Sequence, residues 1–165
     1  MKATLHIPLK TFSVNQMYYG NRQIKTVAAK EWSYTVFHEL SKKQNQEALL
    51  KLREYFDPSK HAYVLNMTAY YPKEILFTKK GYISAKAHDI TNWEKPLVDL
   101  IFHPKYFDIS TPYGCKNLNI DDKFVTDCYS KKRPSLDGSY SIKVTLRIVR
   151  LDPLLQKLTS QSQHE

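Results

Sequence analysis

The chain has 165 residues, and its 25 Lys and Arg against 16 Asp and Glu give a net charge of +9. This length fits one domain with a buried core, and 42% apolar residues exclude a chain that is disordered throughout. No apolar run approaches the ~20 residues of a membrane span, the N-terminus lacks the pattern of a signal peptide, and two cysteines without Cys-x-x-Cys spacing, Cys115 and Cys128, favour a reduced, cytoplasmic protein.

The N-terminal third of the chain predicts a strand, a loop and a helical segment. Lys2–Lys10 alternates strictly between apolar and polar side chains, which indicates a half-buried strand. Residues 11–26 are polar and interrupted by Asn and Gly, so we expect a loop. Ala28–Tyr55 carries apolar residues at helical spacing and predicts a helix with a break near Gln44–Asn45.

The middle of the chain predicts a second strand and a second helix. His61–Tyr71 places alternate apolar side chains on one face, as a strand does. Lys79–Gly81 is typical of a turn. Asp89–Phe102 predicts a short helix, for which Thr91 is a suitable N-cap because Glu94 follows three residues later, as in a capping box.

The last third predicts a loop and two strands. We expect a long loop over residues 103–120, a strand over Phe124–Ser130, a turn over Lys131–Gly138 and a strand over Ser139–Arg150. The resulting order, β-α-β-α-β-β, predicts an α+β fold: a single domain over residues 1–150, with helices packed on one face of a mixed sheet. Residues 151–165 are expected to form a C-terminal tail.

Acidic residues are concentrated in one segment of this basic chain. Residues 88–122 hold six acidic and three basic groups, whereas residues 1–30 hold five basic groups and no acid. Basic surfaces that neutralise phosphates, placed around carboxylates that hold a cation, are what a metal-dependent nuclease needs. Chance clustering of acids on solvated surfaces is the alternative.

The predicted helix in this acidic segment has one polar surface. At 100° per residue, Asn92, Lys95 and Asp99 lie within about 60° of each other, and Asp89 precedes them on the same side. A lysine among carboxylates suits phosphoryl transfer, because the carboxylates hold a cation while the lysine stabilises developing charge. The alternative is an ordinary amphipathic helix with an Asp–Lys ion pair.

Two adjacent aspartates, Asp121 and Asp122, precede the third predicted strand. Such pairs are typical of turns, and they are also well placed to bind a hard cation. Mg²⁺ needs only one or two protein carboxylates beside water and substrate phosphate. The pair therefore indicates either a turn or a magnesium site.

These segments, taken in order, carry a family resemblance. The helix segment with Asp89, Thr91, Asn92, Lys95 and Asp99, followed by two aspartates before a strand, resembles the RusA-type Holliday junction resolvases. The segment Ser13–Tyr19 is similar to the Ser-x-Asn-x-x-Tyr loop that follows the first strand in that family. The resemblance extends roughly from Leu5 to Val149.

The resemblance implies a function and a set of site residues. Members are small, dimeric, Mg²⁺-dependent endonucleases of DNA recombination and repair, often carried by phages, and they cut four-way junctions. For this chain the resemblance implies a homodimer that uses Mg²⁺ or Mn²⁺ on branched DNA. The implied catalytic residues are Asp89, Lys95 and Asp122; the metal ligands are Asp89, Asp122 and Asp121; and the supporting residues are Thr91, Asn92 and Asp99.

Thr91 is a departure from the family pattern, because the family prototype has a second metal-binding Asp at this place. A threonine hydroxyl is a weaker ligand for Mg²⁺ than a carboxylate. Either Asp121, Asp99 or Glu94 supplies the missing carboxylate, or Thr91 only caps the helix and the metal is held weakly or not at all.

Two basic segments predict contacts with the DNA backbone. The predicted contact residues are Asn15, Tyr18, Arg22, Lys25, Lys131, Lys132 and Arg133. The alternatives are a solvated loop and an edge strand guarded against aggregation by its lysines. Two other functions stay open: a non-catalytic dimer that binds branched DNA, and a related metal nuclease that cuts flaps or other branched DNA.

Overall fold

The computed structural model describes residues 1–18, 25–87, 89–103 and 117–151, apart from the side chains of Ile90 and Thr91. Its strands and helices are β1 (Lys2–Ile7), α1 (Val27–Ser41), α2 (Lys43–Tyr55), β2 (His61–Tyr71), α3 (Lys73–Leu76), α4 (Ile90–Phe102), β3 (Val125–Pro134) and β4 (Ser141–Arg150). Two short 3-10 turns, Val14–Gln16 and Asp122–Phe124, lie in the segments before α1 and β3.

The four strands form one mixed sheet in the order β1-β4-β2-β3. β4 pairs antiparallel with both β1 and β2, and β3 runs parallel to β2 at the edge. A parallel pair needs a long crossover, and α3 and α4 occupy the connection between β2 and β3. The predicted α+β fold with a mixed sheet is thereby confirmed.

The core lies between one face of the sheet and the helices. Alternate residues of β1, β2 and β4 point into it, as the period of two in each strand predicts. Apolar residues of α1, α2 and α4 pack against them and form a single cluster; its largest buried members include Trp93, Tyr63, Tyr71 and Phe102. The helices therefore cover one face, as expected from the sequence.

Helix α1 begins at a side-chain cap and α2 begins after a sharp break. The Thr26 hydroxyl accepts a hydrogen bond from Ala29 N at 3.1 Å, which is a typical N-cap contact. The break lies at Lys42, just before the predicted Gln44–Asn45, because Lys42 adopts an extended backbone there. The buried Asn45 amide donates to Glu39 O at 2.9 Å and so satisfies a carbonyl at the end of α1.

The start of α4 differs from the expectation. The helix begins at Ile90, so Thr91 is its second residue, and the predicted Thr91–Glu94 capping box is wrong. Asp89 takes the N-cap position with φ −60° and ψ 144°, although its side chain makes no capping hydrogen bond. Asp and Thr both suit an N-cap, and the backbone of Asp89 is the one that leaves the helical conformation.

Strand β3 is longer than predicted. It continues through Lys131, Lys132 and Arg133 to Pro134, so the turn expected over Lys131–Gly138 is wrong for its first half. The physical reason is tertiary: these residues continue the parallel ladder with β2, which ends at the Tyr71 and Pro134 pair. The three basic residues therefore lie along an edge strand.

Candidate functional site

The segment that precedes β3 is fastened to the C-terminal end of α4. The backbone N–H of Leu118 donates to Ile101 O at 2.9 Å, and that of Ile120 donates to Phe102 O at 3.0 Å. These bonds satisfy carbonyls that a helix end leaves without intrahelical partners. They also lead the chain back along α4, so that Asp122 comes beside Lys95.

Asn117 holds this connection in place. Its side chain is fully buried, and its amide donates to Leu100 O and to His103 O, each at 3.0 Å. Its carbonyl oxygen accepts from Asn119 N at 2.9 Å. One buried amide therefore fixes both the last turn of α4 and the segment that carries the acidic pair.

Three side chains meet between α4 and the start of β3, and we call them the Lys95 cluster: Lys95, Asp99 and Asp122. Lys95 Nζ lies 2.6 Å from Asp122 Oδ2 and 2.8 Å from Asp99 Oδ1. The contact with Asp122 is a hydrogen bond, whereas Asp99 Oδ1 is buried and accepts no hydrogen bond of good geometry from the described residues. The Lys95 side chain remains 60% exposed, so the cluster is open to solvent.

Lys95 and Asp122 keep their charges at neutral pH. The hydrogen bond to Asp122 raises the pKa of Lys95 above its ordinary value, and the close carboxylate of Asp99 is the second cause. The same hydrogen bond lowers the pKa of Asp122, and the nearby His103 adds to that lowering. Lys95 therefore serves as a fixed positive charge and not as a general base at neutral pH.

The other two predicted acids lie outside this cluster. Asp121 caps the 3-10 turn, where its Oδ1 accepts from Lys123 N at 2.9 Å and its Oδ2 lies 3.9 Å from Lys123 Nζ. Asp89 is exposed at the N-terminus of α4 and makes no hydrogen bond or ion pair with its side chain to any described residue. The turn interpretation of the Asp121–Asp122 pair is thus confirmed in geometry, while a role in cation binding stays a prediction.

The predicted ligands are carboxylates, which are chemically suited to Mg²⁺, but they are few. Carboxylate oxygens are the hard ligands that Mg²⁺ prefers, and one or two of them suffice. Among the described residues, no group of three His, Cys, Asp or Glu side chains is arranged to hold a metal ion. Of the predicted cation ligands, Asp122 already has its Oδ2 hydrogen-bonded to Lys95.

The predicted DNA-contact residues lie on two separate parts of the surface. The 3-10 turn with Asn15 lies beside α4, and Tyr18, which follows it, is 43% exposed and bridges to Lys25 through the backbone. Arg22 lies outside the described residues. Lys131, Lys132 and Arg133 lie on β3.

Sequence reasoning missed Asn117, which was included in a loop. Its signal was weak, because a single Asn near the end of a predicted loop suggests solvent exposure, whereas here it is buried beneath a helix end. It also made no functional prediction for Lys143 and Arg147, although the alternation of β4 marks them as outward-pointing.

Comparisons with known proteins add no family assignment. No protein-family model matches the chain, and a search of curated proteins found no match. Among the described residues, no helix has the length and apolar character to cross a membrane.

Proposed function

We propose that this chain is a Mg²⁺-dependent, structure-selective DNA endonuclease that resolves four-way junctions, as its resemblance to the RusA-type resolvases implies. The observation that carries the proposal is the Lys95 ammonium bound between Asp99 and Asp122 at an open surface. A permanent positive charge beside carboxylates can stabilise the charge that develops during phosphodiester hydrolysis. The net charge of +9 supports a polyanionic substrate.

The residues have distinct proposed roles. Asp122, Asp89 and Asp121 would hold the Mg²⁺ or Mn²⁺ ion, which would supply an activated water and neutralise phosphate charge. Lys95 stabilises the charge that develops on the phosphate oxygens, because its raised pKa keeps it protonated. Asp99 positions the ammonium, and the family resemblance implies supporting roles for Asn92 and Thr91.

The proposed assembly is a homodimer in the cytoplasm. A four-way junction offers two equivalent strands for symmetric cleavage, and a two-fold protein matches that symmetry. The basic residues around the site and on β3 would neutralise the phosphates of the junction arms. Two cysteines without Cys-x-x-Cys spacing are consistent with a reducing compartment.

Nicking of a synthetic four-way junction in the presence of Mg²⁺ tests the proposal. We expect Asp122→Asn and Lys95→Ala each to lower the cleavage rate by about 100-fold or more, since each removes a charge that stabilises the transition state. The matched control is the Lys60→Ala variant, which breaks a 2.8 Å ion pair with Asp57 at the turn before β2. If Asp122→Asn and Lys95→Ala cut as fast as the control, the site assignment is wrong.

A second candidate function is non-catalytic binding of branched DNA by a dimer. It is favoured by Thr91 at the place of a family Asp and by the absence of a three-residue metal group among the described side chains. It predicts junction binding that is insensitive to Mg²⁺ and no cleavage with any divalent ion. Cleavage that appears only in Thr91→Asp supports this candidate, whereas cleavage by the wild type excludes it; a panel with flap substrates separates a flap nuclease from a junction resolvase.

A further inference from the structure

One face of the sheet is left uncovered by the described helices, and we call it the open face. Its residues follow from the strand register in rows across the sheet. The first row is Lys2, Arg147, Val64 and Asp127; the second is Thr4, Thr145, Asn66 and Tyr129; the third is His6, Lys143, Thr68 and Lys131; and the fourth contains Ser141, Tyr70 and Arg133. The helices α1, α2 and α4 pack on the opposite face.

The open face is strongly basic. Its exposed basic residues are Lys2, His6, Lys131, Arg133, Lys143 and Arg147. In the four rows Asp127 is the single acid, and none of the six basic side chains forms an ion pair with a described residue. Charges that lack ion-pair partners among the described residues are available to an anionic ligand.

The basic rows border a groove. Its volume is about 490 Å³, and its lining includes Asn66, Lys131, Arg133, Lys143 and Thr145. The lining residues come from β2, β3 and β4, so the groove runs across the sheet and not into the core. A shallow, basic groove on a sheet suits an extended polymer better than a small buried ligand.

An exposed aromatic ring, Tyr129, lies between the first row, with Lys2 and Arg147, and the third row, with Lys143 and Lys131. Its hydroxyl donates to Asp127 Oδ1 at 3.5 Å. Tyr129 is 59% exposed, and its row neighbours Asn66, Thr145 and Thr4 are smaller than the ring. An aromatic side chain on an open sheet gives an unpaired base a surface for stacking, and flanking cations bind the adjacent phosphates. In duplex nucleic acid the base faces are already stacked, so this arrangement favours a single strand.

We propose that the open face binds single-stranded nucleic acid, with phosphates on the basic rows and a base stacked on Tyr129. This surface is separate from the Lys95 cluster, which lies between α4 and the start of β3. The proposal does not depend on the nuclease activity. It holds equally for a catalytic and a non-catalytic protein.

The charge test uses fluorescence anisotropy with a short labelled oligothymidylate in EDTA, where cleavage does not occur. We expect Lys143→Gln/Arg147→Gln to weaken binding at least tenfold at low salt and to lower the slope of log affinity against log salt by about 1.4, since each phosphate contact on a single strand contributes about 0.7. The matched control is Lys43→Gln/Lys51→Gln on α2, with the same loss of charge on exposed lysines. Equal binding by both double variants would overturn the proposal.

The stacking test separates single strands from duplex. We expect Tyr129→Ala to weaken binding of the oligothymidylate about tenfold and to leave binding of a duplex of equal length unchanged. Tyr34→Ala on α1 is the control, because Tyr34 is 51% exposed on the opposite side. If Tyr129→Ala has no effect on the single strand, the assignment to single-stranded nucleic acid is wrong.

A second copy of the chain on the open face is an alternative occupant, and sedimentation of the same variants distinguishes it. If Lys143→Gln/Arg147→Gln changes the oligomeric state and leaves oligonucleotide affinity unchanged, the open face is a protein interface and the proposal fails. Thermal unfolding of each variant verifies that it is folded.

Discussion

The two carboxylate partners of Lys95 determine its protonation state, and with it the chemistry that Lys95 can perform. An ammonium within 2.8 Å of Asp99 and of Asp122 is held in its charged form, because deprotonation would leave those carboxylates without a counter-charge. Any reaction at this surface therefore has a permanent cation available to it. A role as proton donor at neutral pH is disfavoured by the same contacts.

Removing this cation should change how stability depends on pH. The pKa of Asp122 is lowered in the folded protein, so its contribution to the free energy of unfolding is present above the ordinary carboxyl pKa and is lost as the pH falls below about 4. In Lys95→Met we expect a shallower acid loss and a free energy of unfolding lower by about 1 kcal/mol at neutral pH. Urea denaturation from neutral to acid pH measures both.

Lys51→Met is the control for this experiment, since Lys51 is an exposed lysine of α2 without an ion pair among the described residues. This variant should lose stability at acid pH as the wild type does. If the free energy of unfolding of Lys95→Met falls with pH as steeply as that of the wild type, the assigned cause of the lowered Asp122 pKa is wrong.

We expect the thiol of Cys128 to be alkylated more slowly than an exposed thiol with an ordinary pKa. Its pKa is raised first by partial burial and then by the negative charge of Glu94. Because the thiolate is the reactive form, alkylation at neutral pH should be slower than that of a free thiol, and Glu94→Gln should accelerate it only modestly. Iodoacetamide labelling followed by mass spectrometry, in a Cys115→Ser background, measures the rate; labelling as fast as a free thiol would contradict the raised pKa.

At the scale of residues, the sequence predicted the part of the site that is local. Lys95 and Asp99 are four residues apart on a helix, so their contact follows from helical spacing. The contact with Asp122 joins residues far apart in sequence, and only the family resemblance placed both in one site. The Thr91 cap was wrong because two suitable N-cap residues, Asp89 and Thr91, lie two positions apart and their types do not distinguish them.

At the scale of elements, the buried amide of Asn117 is one of the contacts that hold the connection from α4 to β3. Asn117→Ala removes two donors from Leu100 O and His103 O, and we expect it to lower the free energy of unfolding by about 2–3 kcal/mol. Asn117→Asp should cost at least as much, because its carboxylate would face both carbonyl oxygens. Chemical denaturation measures the change.

Asn119→Gly serves as the control for these variants. Asn119 has φ 53°, a left-handed conformation that glycine adopts without strain. The variant also retains the hydrogen bond from the backbone N–H of residue 119 to Asn117 Oδ1. We expect a change within about 0.5 kcal/mol. An Asn117→Ala effect as small as this would mean that the amide does not fasten α4 to the acidic pair.

The sequence predicts best the elements in which apolar and polar residues alternate or a turn residue marks the boundary. β2 was predicted with its observed bounds, His61–Tyr71, because its apolar alternation is long and Asp57-Pro58 precedes it. β3 was predicted too short, because its basic second half has no apolar alternation and is held by pairing with β2. Local patterns carry no information about such pairing.

At the scale of the whole molecule, the sheet has two protected strands and two edges. β4 and β2 are paired on both sides, whereas β3 pairs with β2 on one side in the described part of the chain. Hydrogen exchange should therefore be at least about tenfold slower for β4 amides than for the outward-facing amides of β3. Exchange followed by NMR measures this, and equal protection of both sets would show that the outer edge of β3 is covered in solution.

The position of β4 bears on how the chain is made. β4 is the last described strand to be synthesised, yet it lies between β1 and β2 and joins them. Strand β1 therefore has no strand to pair with until residues 141–150 have been synthesised, and pairing across such a separation in sequence is slow to form. The domain is thus expected to fold after its synthesis and not during it, and a chain that stops short of β4 would expose its N-terminal strand to proteases.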